Sequence, residues 1–177
     1  HEEAALALAE AGVHTLVEKP LAASVESGQR VAEAFKSAGL IGAVGYVERC
    51  NPALLEMRKR LAEGQLGDVY QVVTRRQSPF PARISDVGVV KDLATHDVDL
   101  AAWVAGSEYK EIYAQTAHRS GREHEDMVVA SGSFKNGVLV NHLVNWLTPF
   151  KDRTTIVTGE HGALVADTAM GDLTFYE

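Results

Sequence analysis

The chain has 177 residues, 46% apolar and 23% charged, which suits one medium domain or a small domain joined to part of another. Its 24 acidic residues against 17 basic ones leave a formal charge of −7, a surface that repels nucleic acid and anionic lipid. No stretch reaches the roughly 20 apolar residues of a membrane span, nothing at the start resembles a signal peptide, and the single cysteine, Cys50, excludes an internal disulfide framework or a multi-cysteine zinc site, so a reducing, cytoplasmic setting is expected.

Residues 4–11 carry partial i, i+3 spacing and Gly12 stands where a helix ends. The apolar, β-branched run 13–17 suits a buried strand, closed by Glu18-Lys19-Pro20. A second helix takes Ser24 as its N-cap, sets Val31, Phe35 and Ala38 on one stripe and stops at Gly39; residues 41–47 then read as another buried strand. Helix, strand, helix, strand with short connections is the grammar of a parallel α/β sheet. The next helix has Asn51 as N-cap, Pro52 as first residue, Leu54, Met57 and Leu61 as buried face, and Gly64 as stop. No Met opens the chain, no capping segment precedes its first helix, and residues 173–177 read as a strand in progress, so the sequence is expected to be part of a longer protein.

From Val69 the grammar changes. Residues 69–76 form a strand pattern, a Pro/Arg-rich loop follows, and one more helix spans 93–104 before Gly106. The remainder reads as strands at 111–117, 127–134, 138–147, 154–158, 163–167 and 173–176, with Lys135-Asn136-Gly137 as a tight-hairpin signal. Strands gathered after α/β units predict a second, largely antiparallel α+β domain, with the boundary near Tyr46.

Three clusters invite chemistry. Glu18-Lys19-Pro20 lies at the carboxyl end of a buried strand, the edge where open α/β sheets bind ligands. Adjacent charges cannot both follow strand alternation into a core, so Pro20 must redirect the chain, by its fixed φ or by a cis Lys19–Pro20 bond; the plainer reading is a solvated charge pair before a loop proline. In the second cluster, a helix beginning at Asp92 places Asp92 and His96 on one face. The helix dipole would disfavour an imidazolium in the first turn while Asp92 favours it, a balance suited to a proton carrier near neutral pH. The alternative is an N-capping Asp92 and a merely polar His96. Asp97 and Asp99 read as first-turn carboxylates favoured by the dipole. A metal site on His96-Asp97 would need further ligands, yet His118, His124, His142 and His161 fall on strands or turns, and His142 alternates with Val140 and Val144 as a packed or interface residue; no metal is expected. The third cluster, Arg75, Arg76, Arg83 and Lys91, suits phosphate or carboxylate recognition, against the plainer reading of a solvated loop.

Residues 11–22, AGVHTLVEKPLA, closely resemble the second signature of the glucose–fructose oxidoreductase / inositol dehydrogenase / rhizopine-catabolism (Gfo/Idh/MocA) family of oxidoreductases. Residues 45–52, GYVERCNP, look like its domain-crossing strand and the helix after it, and residues 88–99, GVVKDLATHDVD, resemble its third signature. The resemblance covers the whole chain. It implies the C-terminal part of a dinucleotide-binding Rossmann domain over 1–46, followed over 47–177 by an α+β substrate-binding and oligomerisation domain with a large, mostly antiparallel, open-faced sheet. It further implies NAD or NADP as cofactor, with Glu18, Lys19 and Pro20 at the cofactor, Lys19 also at the reacting hydroxyl, Asp92 as orienting carboxylate and His96 as acid/base. The reaction implied is hydride transfer between NAD(P) and a secondary alcohol of a sugar, cyclitol or nucleotide-sugar.

The stretch 79–97 looks like the UDP-N-acetylglucosamine 3-dehydrogenase branch, in which Arg75, Arg76, Arg83 and Lys91 would meet the substrate. The sequence departs from the family pattern in lacking a glycine-rich phosphate loop, so this chain alone is expected not to turn over an alcohol, and in having a single leading glycine, Gly88. A non-catalytic ligand-binding or dimerising scaffold is the alternative, and a metal-dependent hydrolase a weaker one. Apolar residues on both faces of 138–147 imply that helices bury one face and a second copy buries the other, giving a homodimer or homotetramer.

Overall fold

Glycine, proline and short polar caps set most element ends in the computed structural model, which describes residues 1–82, 84 and 86–177. The chain divides into two units, His1–Val47 and Glu48–Glu177.

The first unit holds α1 (Glu2–Glu10), β1 (Thr15–Glu18), α2 (Val25–Ser37) and β2 (Gly42–Gly45). Ser24 caps α2 by accepting from the Ser27 backbone N–H, and the Ser27 hydroxyl in turn accepts from the Ser24 N–H. β1 and β2 pair in parallel from Thr15 opposite Gly42 to Glu18 opposite Gly45. Ala5, Ala9, Val17, Val31 and Phe35 form one small core. Both strands were expected to be buried throughout, but Leu16 is 70% exposed and Ile41 is exposed as well. The core gathers α1 and α2 on the Val17 side of this two-stranded sheet, so alternation sends Leu16 to the uncovered side.

The second unit holds α3 (Pro52–Ala62), α4 (Thr95–Ala105) and seven strands: β3 (Val69–Pro79), β4 (Tyr109–Ala117), β5 (Met127–Phe134), β6 (Leu139–Asn145), β7 (Leu147–Gly159), β8 (Gly162–Asp167) and β9 (Asp172–Tyr176). Their order in the sheet is β4-β5-β6-β3-β7-β8-β9, antiparallel except for the β3/β6 pair. Asn51 caps α3 and Pro52 opens it. At the β5–β6 hairpin, Gly137 takes the positive φ that the turn demands while Asn136 accepts from the Val138 N–H. β7 is much longer than the expected 154–158, because its first half, with Pro149 and Lys151, lacks an apolar alternation yet pairs with β3 through Gln77 and Asp152.

α3 and α4 cover one face of this sheet, where Leu54, Met57, Val72, Leu100, Phe134, Val140 and Val157 make the main core. Among the described residues no helix covers the other face. Burying both faces of β6 is therefore not what a single chain does: Val140, His142 and Val144 lie under the helices, whereas Leu139 is 55% exposed and Leu143 half-buried. Val73, Ile156 and Val165 continue this open side across the sheet, with Tyr113 and Val129 exposed toward its β4 edge.

On the covered face a polar chain crosses the core. Tyr109 donates its hydroxyl to the Val98 carbonyl at 3.1 Å, so His142 Nε2–H donates to the Tyr109 oxygen at 2.9 Å and His142 Nδ1 accepts from the Thr74 hydroxyl at 2.7 Å. Burial lowers the His142 pKa to about 4 and raises that of Tyr109, keeping both neutral. The folded state therefore binds the His142 proton more weakly than the unfolded one. This contribution is fully present above about pH 6.5 and is lost as pH falls through about 4, a span worth about 3 kcal/mol. In urea melts at pH 7 and pH 4, a His142→Gln variant is expected to lose less stability on acidification than the parent, by an amount of that order. The comparison cancels the carboxylates common to both proteins, and equal losses would refute the assignment.

Candidate active site

Glu18, Lys19 and Pro20 stand at the carboxyl end of β1, and the Lys19–Pro20 peptide is cis. Glu18 and Pro20 are exposed and Lys19 is half-buried. The Glu18 carboxyl lies over its register partner Gly45, where a β-carbon would come within 3.2 Å of it, so the bare backbone of Gly45 gives it room. The two adjacent charges thus leave the strand without either entering the core.

The helix carrying Asp92 and His96 begins earlier than expected. Its first turn, Val90–Ala94, is a π-turn that runs directly into α4. The cap comes from far along the chain: the Glu125 carbonyl accepts from the Val89 N–H at 2.9 Å, and its carboxylate accepts from the Val90 N–H at 3.0 Å. Asp92 is therefore not the N-cap, and its own N–H is already bonded to the Gly88 carbonyl. His96 lies beyond the first turn, where the dipole acts on it less than anticipated. A wide π-turn brings positions four apart nearly into line, so Asp92 and His96 keep the shared face that the spacing implied. Both side chains are half-buried, while Lys91 is exposed.

Asp97 stands in the first turn of α4 as expected and Asp99 beyond it, and each is also engaged by an arginine. Arg76 Nε donates to both Asp97 oxygens at 3.1 Å, and its Nη1 donates to Glu48 at 2.9 Å; Arg76 is 3% exposed and Asp97 2%. Burial alone would lower the Arg76 pKa, but Asp97 and Glu48 more than offset that and hold it above its ordinary value. Burial pushes the Asp97 carboxyl up to about 6, against the pull of Arg76. Asp99 pairs with Arg49, whose Nε donates to it at 2.8 Å.

Arg76 therefore faces the core, and its guanidinium is committed to carboxylates of its own chain rather than to a substrate. Arg75, its neighbour on β3, points to the open face by strand alternation and lies 3.7 Å from Asp152. Arg83 lies outside the described residues. Of the four basic residues expected at a substrate, the structure thus leaves Lys91 exposed at the start of the helix and does not bring it together with Arg75 or Arg76.

Two groups were missed. Arg122 lies 4.2 Å over the Phe80 ring and 5.1 Å from the Trp146 centroid, and its Nη2 donates to the carbonyls of Ile84 and Val87. It ties the segment before the π-turn to the end of β6, and no local pattern around Gly121-Arg122-Glu123 announces that. Glu125 was missed for the same reason, although the lone Gly88 was a usable signal. A β-carbon there would run into the Glu125 carboxyl. Among the described residues no group of three or more His, Cys, Asp or Glu side chains is placed to hold a metal ion.

Residues 54–165 match the family model described as GFO/IDH/MocA C-terminal domain, and residues 1–46 match the model described as oxidoreductase family, NAD-binding Rossmann fold. The chain is 35% identical over 146 residues to inositol 2-dehydrogenase 2 of Saccharopolyspora erythraea, covering 80% of this chain and 43% of that protein. Against the UDP-N-acetylglucosamine 3-dehydrogenase of Acidithiobacillus ferrooxidans the identity is 29% over 132 residues, 75% of this chain and 41% of that one. The solved structure of GnnA, a UDP-N-acetylglucosamine 3-dehydrogenase from the same organism, matches with a TM-score of 0.89 at 25% identity, over 100% of this chain and 57% of that one. The WlbA dehydrogenase from Bordetella pertussis, solved in complex with NADH and UDP-GlcNAcA, matches with a TM-score of 0.88 at 28% identity, over 100% of this chain and 56% of that one. The chain spans about half the length of these relatives. The expected fold, a Rossmann-type portion followed by a large, mostly antiparallel sheet, is what these matches and the strand order show.

The dependence of the helix entrance on Glu125 can be measured. Glu125→Ala removes one cap bond and is expected to cost about 1 kcal/mol. Gly88→Ala forces the carboxyl away and is expected to cost on the order of 2 kcal/mol in the parent but below about 1 kcal/mol in the Glu125→Ala background. Urea midpoints of the four proteins give the coupling, and strictly additive costs would show that Gly88 and Glu125 do not act on each other.

Proposed function

This chain belongs to the GFO/IDH/MocA family of oxidoreductases, and from that membership we propose that it carries the proton-transfer residues of an NAD(P)-dependent dehydrogenase acting on a secondary alcohol of a sugar, cyclitol or nucleotide-sugar. The observation that supports this most is the presence of both chemical motifs in the matched stretches. Glu18-Lys19-Pro20 ends a parallel strand, and Asp92 and His96 share a face across a π-turn. Relatives named as inositol and UDP-sugar dehydrogenases support this substrate class.

The residues of this chain that would hold a nicotinamide dinucleotide are Glu18, Lys19 and Pro20. They fit that task by position, at the carboxyl edge of parallel strands, and by chemistry, with a half-buried lysine next to a carboxylate that lies over a bare glycine backbone. When bound, the dinucleotide supplies the hydride acceptor or donor. His96 takes the hydroxyl proton during oxidation and returns it in the reverse direction. Lys19 is read, from the family membership alone, as the residue that favours negative charge developing on a reacting hydroxyl. Asp92, on the shared face, orients the His96 imidazole. Lys91 and Arg83 are left to meet a phosphate where the substrate carries one, since Arg75 and Arg76 are directed elsewhere.

Two further parts of the reading concern assembly and location. The open sheet face, with Val73, Leu143, Ile156 and Val165 half-buried and Tyr113, Val129 and Leu139 exposed, is read as the contact of a homodimer or homotetramer. Among the described residues no helix is long and apolar enough to cross a membrane, and a cytoplasmic location is proposed on the single, exposed Cys50.

Turnover by the full-length protein, tested on free inositols, free hexoses and UDP-sugars and followed by nicotinamide absorbance, is expected with at least one class. His96→Ala is expected to lower kcat by roughly 10²–10⁴-fold. Absence of turnover on every class, by well-folded wild-type protein, would leave the scaffold alternative in its place.

For assembly, Leu143→Glu places a charge on the open face and is expected to yield a folded monomer by light scattering. Trp146→Glu is expected to unfold the protein instead, because Trp146 is buried beneath the helix entrance. A folded Leu143→Glu protein with the parent's mass would rule out this face.

A further inference from the structure

Three successive residues after His96 are each tied to a different element. Asp97 accepts from Arg76 on β3, the Val98 carbonyl accepts from Tyr109 on β4, and Asp99 accepts from Arg49 in the short 3-10 turn Val47–Cys50. The turn before them is a π-turn, a local irregularity of the helix of the kind frequent at functional sites. The direction in which His96 leaves the helix is then fixed from the anchored side.

Among the three ties, the one through Arg76 needs an explanation. Its partners Asp97 and Glu48 flank it, with side-chain exposures of 4% for Arg76, 2% for Asp97 and 13% for Glu48. Buried ionic groups suffer desolvation that offsets their attraction, and apolar side chains of similar volume often hold a fold equally well or better. Net stability is therefore a poor account of this triad. What it supplies is a fixed position. Arg76 Nε is shared between both Asp97 oxygens while Nη1 is held by Glu48, so a shift of Asp97 along or around the helix breaks at least one bond.

We propose that Arg76 is a positioning residue: through Asp97 it sets the placement of His96 on its helix. The proposal rests on the reading of His96 as acid/base, but the Arg76 dependence can be read without turnover. The triple variant Glu48→Gln/Arg76→Met/Asp97→Leu replaces the triad by side chains of similar volume. In the 177-residue chain it is expected to melt within a few degrees of the parent or above it.

Hydrogen exchange in residues 93–100 is expected to rise at least tenfold while that of Met127–Phe134 stays unchanged. The ring Cε1–H resonance of His96 is expected to be single and sharp in the parent and to broaden or double in the variant far below the melting range. In full-length enzyme that turns over an alcohol, kcat is expected to fall at least tenfold with the alcohol KM within threefold. Should the triple variant not fold, Arg76→Lys carries the test, since its ammonium cannot bridge all three oxygens in the same geometry; its expected rise in exchange is about threefold. A folded variant with parental exchange in residues 93–100 and a single sharp His96 line overturns the proposal. Lack of turnover by the wild-type protein would instead strike the dehydrogenase reading and leave the exchange and resonance results to decide on Arg76.

Discussion

The Arg76 guanidinium sits where three parts of the second unit meet: the central strand β3, the entry segment through Glu48, and the helix that carries His96. β3 lies in the middle of the seven-stranded sheet, and Arg76 is on its helix-covered side. A charge in that place constrains everything near it, because its donors accept only a narrow set of partner positions. Asp97 and Glu48 meet that requirement, and α4 is thereby held against the sheet by a polar contact in addition to the apolar packing of Leu100, Ala101 and Val104. The Tyr109–His142–Thr74 chain provides a second polar contact beneath the same helix, and its groups are neutral where the Arg76 triad is ionic.

Much of this was legible in the sequence wherever the signal is local. Ser24, Asn51-Pro52, Gly106 and Lys135-Asn136-Gly137 each carry their meaning within a few residues, and each ends or begins an element where expected. The Asp92–His96 spacing survives as well, because four positions share a face in either helix type. The start of that helix was not legible, since its cap is supplied by Glu125, which is brought to Val89 and Val90 only by the folded sheet.

The two adjacent arginines on β3 teach a different lesson. Alternation along a strand sends neighbours to opposite faces, so Arg75-Arg76 already implied that one of them is turned inward. An inward arginine needs a carboxylate, and the sequence offers several; choosing Asp97 required the tertiary fold. The alternation of β6 was ambiguous in the opposite sense. Leucines at 139 and 143 fit either a covered face or an open one, and only the placement of α3 and α4 on the other side resolves it.

The central position of β3 also bears on how the second unit comes into being. Gln71 pairs with Leu139 on one side and with Thr158 on the other, so the middle strand of the sheet has no neighbour until the chain has been made well past the hairpin at Asn136. Contacts this distant in sequence form late and slowly. During synthesis the apolar side of β3 must remain unpaired while β4 and β5 are still emerging, a period in which edge-to-edge association with other chains is most dangerous. An inward charge such as Arg76, unwelcome in an apolar cross-strand contact, belongs to the kind of residue that disfavours such association.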